Sequence, residues 1–304
     1  MYDGVVAEQA GRPRLSRGET REVAELRAIG ERHPELADAV AMHLELLELQ
    51  RRVQTRIPLP SLNLSADLVA EHQATGRPLL QFENIPLELT DLRLIVRQTS
   101  DVLRRFGSLD DADYQKAQAL GRDDTLLTVA AQWYRHGAAH RVVAPVGLGS
   151  MRSPQPPQSE AQDGNGIDHV LALAMRPFLI RCAEALQRRP ELHVWTHPYC
   201  PLCGGEADFA VITPQAERHL ICARCTLHWK FEPLTCPYCG NDNRALITSF
   251  ATPDGQYRVY ACDECRRYLK AYDGRRAVRP VMPVVDSVAT LPLDAAAMQR
   301  GYEG

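Results

Sequence analysis

Leu36, Val40, Leu44 and Leu47 recur at the three- and four-residue spacing of one helical face. Pro34, after His33, suits the first turn of that helix. Arg51, Arg52 and Arg56 close it, as a solvated end that complements the helix dipole. The same period continues downstream. Ser65 is the expected N-cap of a helix through His72, which Gly76-Arg77-Pro78 ends. Residues 90–106 place Leu92, Ile95, Val96, Val102, Leu103 and Phe106 in a further helix, and residues 110–120 and 123–136 predict two more. Asp123 or Asp124 caps the second of these, and its Trp133 and Tyr134 are core candidates. Ile167 to Arg188 forms a last long helix bent by Pro177, with Val170, Leu171, Ala174, Phe178 and Cys182 on one side. Cys182 is therefore expected to be buried and inert. Residues 1–18 read as a loose polar tail, and the Pro-, Gln- and Gly-rich run 152–166 as a loop.

From Leu192 the period changes. Phe209–Thr213, Leu227–Phe231, Leu246–Phe250 and Tyr257–Ala261 are short, β-prone and bounded by Pro, Gly, Asn and Asp. Such strands bury little, and Trp229, Tyr238, Tyr260, Tyr268 and Tyr272 are the candidates for small aromatic cores. Asp286 to Tyr302 reads as a short closing helix interrupted by Pro292.

Cysteine placement explains how so little core suffices. Eight of nine cysteines form four Cys-x-x-Cys pairs: Cys200/Cys203, Cys222/Cys225, Cys236/Cys239 and Cys262/Cys265. The first and third open alike, as Cys-Pro-x-Cys-Gly, and a second pair follows each after 18 and 22 residues. Two facing turns of this kind supply four sulfurs in a tetrahedron, the closed geometry of structural zinc or of a rubredoxin-type iron site. Gly204 and Gly240 permit the positive φ of the turn. Scattered buried thiols would not repeat one spacing, and disulfides belong to exported domains. Cys236-Pro237-Tyr238-Cys239 has the look of a redox pair, but that chemistry needs one pair at a helix start in a βαβ setting. The repeat favours first-with-second and third-with-fourth pairing over a cross-braced scheme.

The predicted class is thus α+β: an all-helical N-terminal domain, two small rubredoxin-like or zinc-ribbon four-cysteine modules and a short C-terminal helix. The expected boundaries are a tail at 1–18, the helical domain at 19–190, ribbons at 191–232 and 233–283, and a closing segment at 284–304. The formal charge of −3 over 304 residues provides no general attraction to nucleic acid or anionic membrane. Met1 to Thr20 lack an apolar stretch of the signal-peptide kind. Val170 to Ile180 is too short to span a bilayer and is broken by Arg176 and Pro177. A cytoplasmic location is expected, where reduced thiols suit metal ligation.

No Ser-His-Asp set, carboxylate pair or phosphate-binding Gly loop stands out, and His136 with His140 lacks the acidic partners of a metal motif. A non-enzymatic binding protein is therefore expected. The competing class is a nucleic-acid-binding zinc ribbon. Its support is the basic run Arg266, Arg267, Lys270, Arg275, Arg276 and Arg279, which also reads as a protected β-edge. Residues 200–304 balance twelve Lys/Arg with twelve Asp/Glu, which argues against that class.

The order of Cys200 to Gly204, Cys222 to Trp229, Cys236/Cys239 and Cys262 to Lys270 resembles the FdhE family of formate dehydrogenase accessory proteins. Asp286-Ser287-Val288-Ala289-Thr290-Leu291, with Gly301-Tyr302 after it, is similar to that family's closing segment. His72 to Leu80 is similar to a motif in its helical domain. Ala207, where that family's pattern suggests Pro, and the stretch 152–166 depart from it. The resemblance implies a maturation factor with a helical domain and two rubredoxin-like modules. It implies binding to the formate dehydrogenase catalytic subunit in the cytoplasm, and iron in the four-cysteine sites; spacing alone equally admits zinc. Arg266 and Arg267 are the expected partner contacts on the metal module.

Overall fold

The computed structural model describes residues 19–61, 65–139, 166–186, 195–277 and 279–304. The expected tail at 1–18, the loop at 152–166 apart from Gly166, the end of the last long helix at 187–190, and His140 lie outside the described residues.

Seven helices come first: α1 (Arg21–Arg32), α2 (Ala37–Gln54), α3 (Ala66–Thr75), α4 (Leu89–Arg105), α5 (Asp111–Leu120), α6 (Leu126–Ala139) and α7 (Gly166–Leu186). Local chemistry sets their ends. Ser65 Oγ accepts the Leu68 N–H at 3.2 Å, and Asp110 Oδ1 accepts the Asp113 N–H at 2.7 Å. Gly76 ends α3 at φ 69°, a conformation glycine adopts without steric cost. Leu92, Ile95, Val96 and Leu103 of α4 are fully enclosed, and α4 packs against both α2 and α7. Cys182 is buried on α7 as expected, and burial pushes its thiol up to about 12.

The C-terminal half is one six-stranded sheet. Its strands are β1 (Ala207–Ile212), β2 (Arg218–Cys222), β3 (His228–Phe231), β4 (Ile247–Ala251), β5 (Tyr257–Cys262) and β6 (Tyr268–Asp273), in the order β3-β2-β1-β6-β5-β4. Each cysteine repeat forms an antiparallel three-stranded meander, and the two meanders join where β1 and β6 pair in parallel. The repeat suggested two self-contained ribbons; edge pairing fuses them instead. A lone three-stranded ribbon leaves backbone groups open on both edges and has little apolar surface to cover them. Two side-chain links brace the joint. Tyr238 Oη donates to the Ala207 carbonyl at 3.1 Å, and Arg267 meets Glu206 at 2.9 Å while its guanidinium lies 3.7 Å from the centre of the Tyr238 ring.

Core and sheet are continuous. A single cluster of buried side chains runs from Leu92, Ile95 and Phe178 of the helices to Leu220 and Trp229 of the first meander, and it includes Cys200, Cys203, Cys222 and Cys225. The closing segment forms two short helices, α8 (Pro283–Ala289) and α9 (Leu291–Gln299), rather than one. Thr290 separates them, its hydroxyl donating to the Asp286 carbonyl, and Pro292 sits in the first turn of the second.

α8 ties sheet to helices. Its Val285 and Val288 pack with Leu26 and Ile29 of α1. Asp286 has no exposed surface and accepts from Arg279 at 2.5 Å, from the Tyr257 hydroxyl at 2.8 Å and from the Met282 N–H at 2.6 Å; Glu25 of α1 lies 3.8 Å from Arg279. Removing one member of such a network strands a buried charge. Asp286→Ala should therefore cost about 3 kcal/mol in urea unfolding, while Asp286→Ala/Arg279→Met should cost less than the single change. A single-variant loss below about 1 kcal/mol would show that the network adds only a surface-like ion pair.

Candidate metal centres

Every Cys-x-x-Cys turn is built the same way. The first cysteine's N–H donates to the carbonyl five residues on: Cys200 to Gly205, Cys222 to Leu227, Cys236 to Asn241 and Cys262 to Arg267, at 2.8–3.0 Å. The residue after the second cysteine donates back to the first: Gly204 to Cys200, Thr226 to Cys222, Gly240 to Cys236 and Arg266 to Cys262, at 2.9–3.1 Å. All four back-donating residues have positive φ, 69°, 58°, 79° and 59°. Glycine signals this at two turns. At the other two, Thr226 and Arg266 adopt a conformation that costs a side-chain-bearing residue about 1 kcal/mol or more, and no sequence rule points to it.

The turns pair sequentially. Cys200, Cys203, Cys222 and Cys225 form one group of four sulfurs; Cys236, Cys239, Cys262 and Cys265 form the other. Within the first, Sγ atoms lie 3.6 Å (Cys200–Cys225), 3.5 Å (Cys203–Cys222) and 3.6 Å (Cys203–Cys225) apart. In the second, Cys236–Cys265 and Cys239–Cys262 are both 3.7 Å apart. A tetrahedron with metal–sulfur bonds of about 2.3 Å has sulfur–sulfur edges of about 3.8 Å, so both groups fit one ion of zinc or iron size.

Electrostatics agrees with that fit. The Cys203 thiol is held far below its ordinary range by hydrogen bonds from Cys200, Cys222 and Cys225, whereas burial pushes Cys200 and Cys225 well up. Hydrogen bonding from Cys265 likewise lowers Cys236 to about 5, while burial raises Cys239 to about 12. A divalent cation held by four sulfurs favours the thiolate form of each of them. Arg224 adds positive potential at the first centre, and its backbone N–H donates to Cys222 Sγ at 3.4 Å. Arg218, almost wholly buried, lines the small cavity beside Cys236 and Cys262. Asn241 Nδ2 donates to Cys262 Sγ at 3.6 Å.

The centres differ in their surroundings. The first is enclosed by the helical region. The Leu79 and Leu80 N–H groups donate to the Pro201 and Leu202 carbonyls at 3.0 and 2.8 Å, clamping the first turn. Tyr134 Oη donates to the Leu80 carbonyl at 2.8 Å, and Arg224, stacked over Trp133, donates to the Tyr134 carbonyl at 3.2 Å. His72 stacks on Trp195 with ring centres 4.3 Å apart, and Tyr199 Oη donates to the Gly76 carbonyl at 2.7 Å. Periodicity assigned Leu79, Leu80 and Arg224 no role; the similarity of His72 to Leu80 to a family motif was the one signal pointing there. The second centre sits at the rim, with Cys239 exposed and Cys265 half-buried.

Among the described side chains of the basic run, the charges are engaged within the chain; the Arg276 side chain lies outside them. Arg279 is buried against Asp286, Lys270 pairs with Asp294 at 2.6 Å, and Arg275 pairs with Asp273 at 2.7 Å. Arg266 is half-exposed, its guanidinium 4.2 Å from the Tyr302 ring centre and bonded to the Arg300 and Gly301 carbonyls. With those charges neutralised locally, the nucleic-acid reading loses its electrostatic support. His136 is exposed and bonded to the Gln132 carbonyl. Among the described residues, no helix is long and apolar enough to cross a membrane.

No protein-family model matches the chain. Curated proteins named "Protein FdhE homolog" do. Those of two Actinobacillus pleuropneumoniae strains are 26% identical over 149 residues, covering 47% of this chain and 48% of theirs. That of Cronobacter sakazakii is 27% identical over 107 residues, 34% of each chain. The matched part thus spans about half the length of these relatives or less. The crystal structure of the FdhE protein from Pseudomonas aeruginosa superposes with a TM-score of 0.58 over 93% of this chain and 91% of that one, at 18% identity, which establishes the shared fold.

The unequal exposure sets an order of reactivity. Protein purified without oxygen should carry two equivalents of zinc plus iron, one per four-sulfur group. A chelator should remove one equivalent first, with iodoacetamide then labelling Cys239 before any cysteine of the buried centre, read by mass spectrometry. Simultaneous loss of both ions would show that burial does not separate the two centres.

Proposed function

We propose that this chain, a relative of the FdhE proteins in sequence and in fold, is a formate dehydrogenase accessory factor that acts by binding that enzyme's catalytic subunit in the cytoplasm. The observation that carries the reading is the pair of closed four-cysteine centres fused into one sheet and set against the helical region. Four sulfurs fill a tetrahedral ion's coordination, which leaves no position for a substrate or an activated water. The ion's contribution is structural: it fixes two turns and the strands between them, so the loops around the second centre are presented in one conformation. Cys200, Cys203, Cys222 and Cys225 would hold the buried ion; Cys236, Cys239, Cys262 and Cys265 would hold the one at the rim. The ion at each would be iron, as the family resemblance implies, or zinc, which the same four sulfurs accept.

Arg266 and Arg267 remain part of the proposed contact surface, but each is also engaged within the chain, so their substitution changes the protein as well as any interface. The test is affinity capture of the purified formate dehydrogenase catalytic subunit by wild type, Cys200→Ser and Cys239→Ser. Wild type should retain it. Cys200→Ser, which opens the centre inside the core, should lose capture together with helical circular dichroism. Cys239→Ser should lose capture with the helical signal intact. Failure of wild-type protein to retain the subunit would overturn the accessory role.

A further inference from the structure

The sheet contains its own template for a docking site. β1 and β4 are equivalent strands of the repeat, since Ala207 and Ile247 both stand opposite the first cysteine of the following turn, Cys222 and Cys262. Counting from there, past the irregularity at Asp208, Ala210 corresponds to Ser249 and Ile212 to Ala251. One edge of each strand pairs within its meander. The other edge of β1 receives β6, in parallel, with Ala210 opposite Ala271 and Ile212 opposite Asp273. The same edge of β4 is the end of the sheet.

Hydrogen-bond alternation identifies the open groups. Thr252 N–H donates to the Tyr257 carbonyl and Asp263 N–H to the Leu246 carbonyl, so Thr252, Phe250, Thr248 and Leu246 face β5. The N–H and C=O of Ser249 and Ala251 therefore point outward. Among the described residues, no backbone hydrogen bond reaches that edge.

The two ends of the sheet are not treated alike. β3 is four residues long and carries Lys230 paired with Glu217 at 2.6 Å; short length and lysine are two ways proteins keep an edge from pairing. β4 is five residues, Ile-Thr-Ser-Phe-Ala, with no charge and an uninterrupted register, and Pro253 follows it at the same distance as Pro233 follows β3. It has the composition of a paired strand and lies beside the exposed centre, since Ile247 faces Cys262.

We propose that the outer edge of β4 captures an extended, uncharged segment of the client polypeptide as a seventh strand, parallel to β4, as β6 joins β1. The client's identity rests on the accessory role above. Backbone pairing supplies the affinity, and the absence of charge on β4 selects an uncharged segment.

The experiment uses metal-loaded, full-length protein with the purified formate dehydrogenase catalytic subunit as probe. Ser249→Pro removes an outward N–H without touching the β4–β5 ladder, and Ala251→Lys keeps every N–H but adds an edge charge. Both should weaken capture about tenfold or more, roughly one lost backbone bond, with two metal equivalents retained. Ser249→Ala should bind as wild type. On capture, amide exchange at Ser249 and Ala251 should slow in wild type. If Ser249→Pro proves unfolded, Ala251→Lys decides alone. Undiminished capture by the folded edge variants would overturn the edge proposal and leave the accessory role standing. Capture by no variant, wild type included, would overturn the client itself. Loss of a self-associated species in sedimentation, with client capture unchanged, would overturn the proposal in favour of a second copy as occupant.

Discussion

Four thiols within 4.8 Å of one another are a poor arrangement for protons and a good one for a divalent cation. Thiol S–H groups are weak donors, and packed against one another they have only weak acceptors to donate to. A cation ionises all four and replaces weak S–H contacts with coordinate bonds. For the first centre this matters to the whole molecule, because Cys200, Cys203, Cys222 and Cys225 belong to the same buried cluster as Leu92 and Phe178. The chain cannot close that part of its core around uncompensated charge. An ion held there would therefore contribute to closing the helical core as well as the first meander.

The repeat is symmetric in sequence and asymmetric in setting. Both meanders use the same turns and the same strand order, yet they join head to tail, β1 to β6. The helical region, not the joint, makes the copies unequal: the first centre is buried against it and the second lies at the rim. The inner copy receives the helical region on its first turn, through Leu79 and Leu80; the outer copy keeps its first turn, with Cys239, at the surface. One module has become part of the core, and its duplicate is available for contact.

What the residues disclosed, and what they withheld, follows this division. The helix ends were legible at Ser65 and Gly76 because capping is local chemistry. The four turns and their sequential pairing were legible because metal geometry demands one spacing. The β1–β6 joint was not, since a parallel pair between distant segments leaves no local mark, and the apolar positions of β1 and β6 are those of any small strand. The positive φ of Thr226 and Arg266 was hidden for the opposite reason: the turn imposes it on whatever residue stands there. That constraint also alters the meaning of Arg266. Its charge drew attention as a surface feature, but the backbone strain and the bonds to Arg300 and Gly301 make it a fastening for the chain's last residues.

The end of the chain converts these separate parts into one body. Arg279 and Asp286 are buried together, at a desolvation cost their mutual attraction alone would barely offset. The extra donors from Tyr257 and Met282, and the carboxylate of Glu25, supply what the pair lacks. Those partners come from β5, from the start of α8 and from α1, so the network is complete only when the outer meander, the closing helix and the first helix are all in place. A hydrophobic contact could hold α8 against α1 in several registers. A buried charge with directional donors accepts one. The outer centre is thereby held in a fixed position relative to the helical region although its own turns lie at the surface.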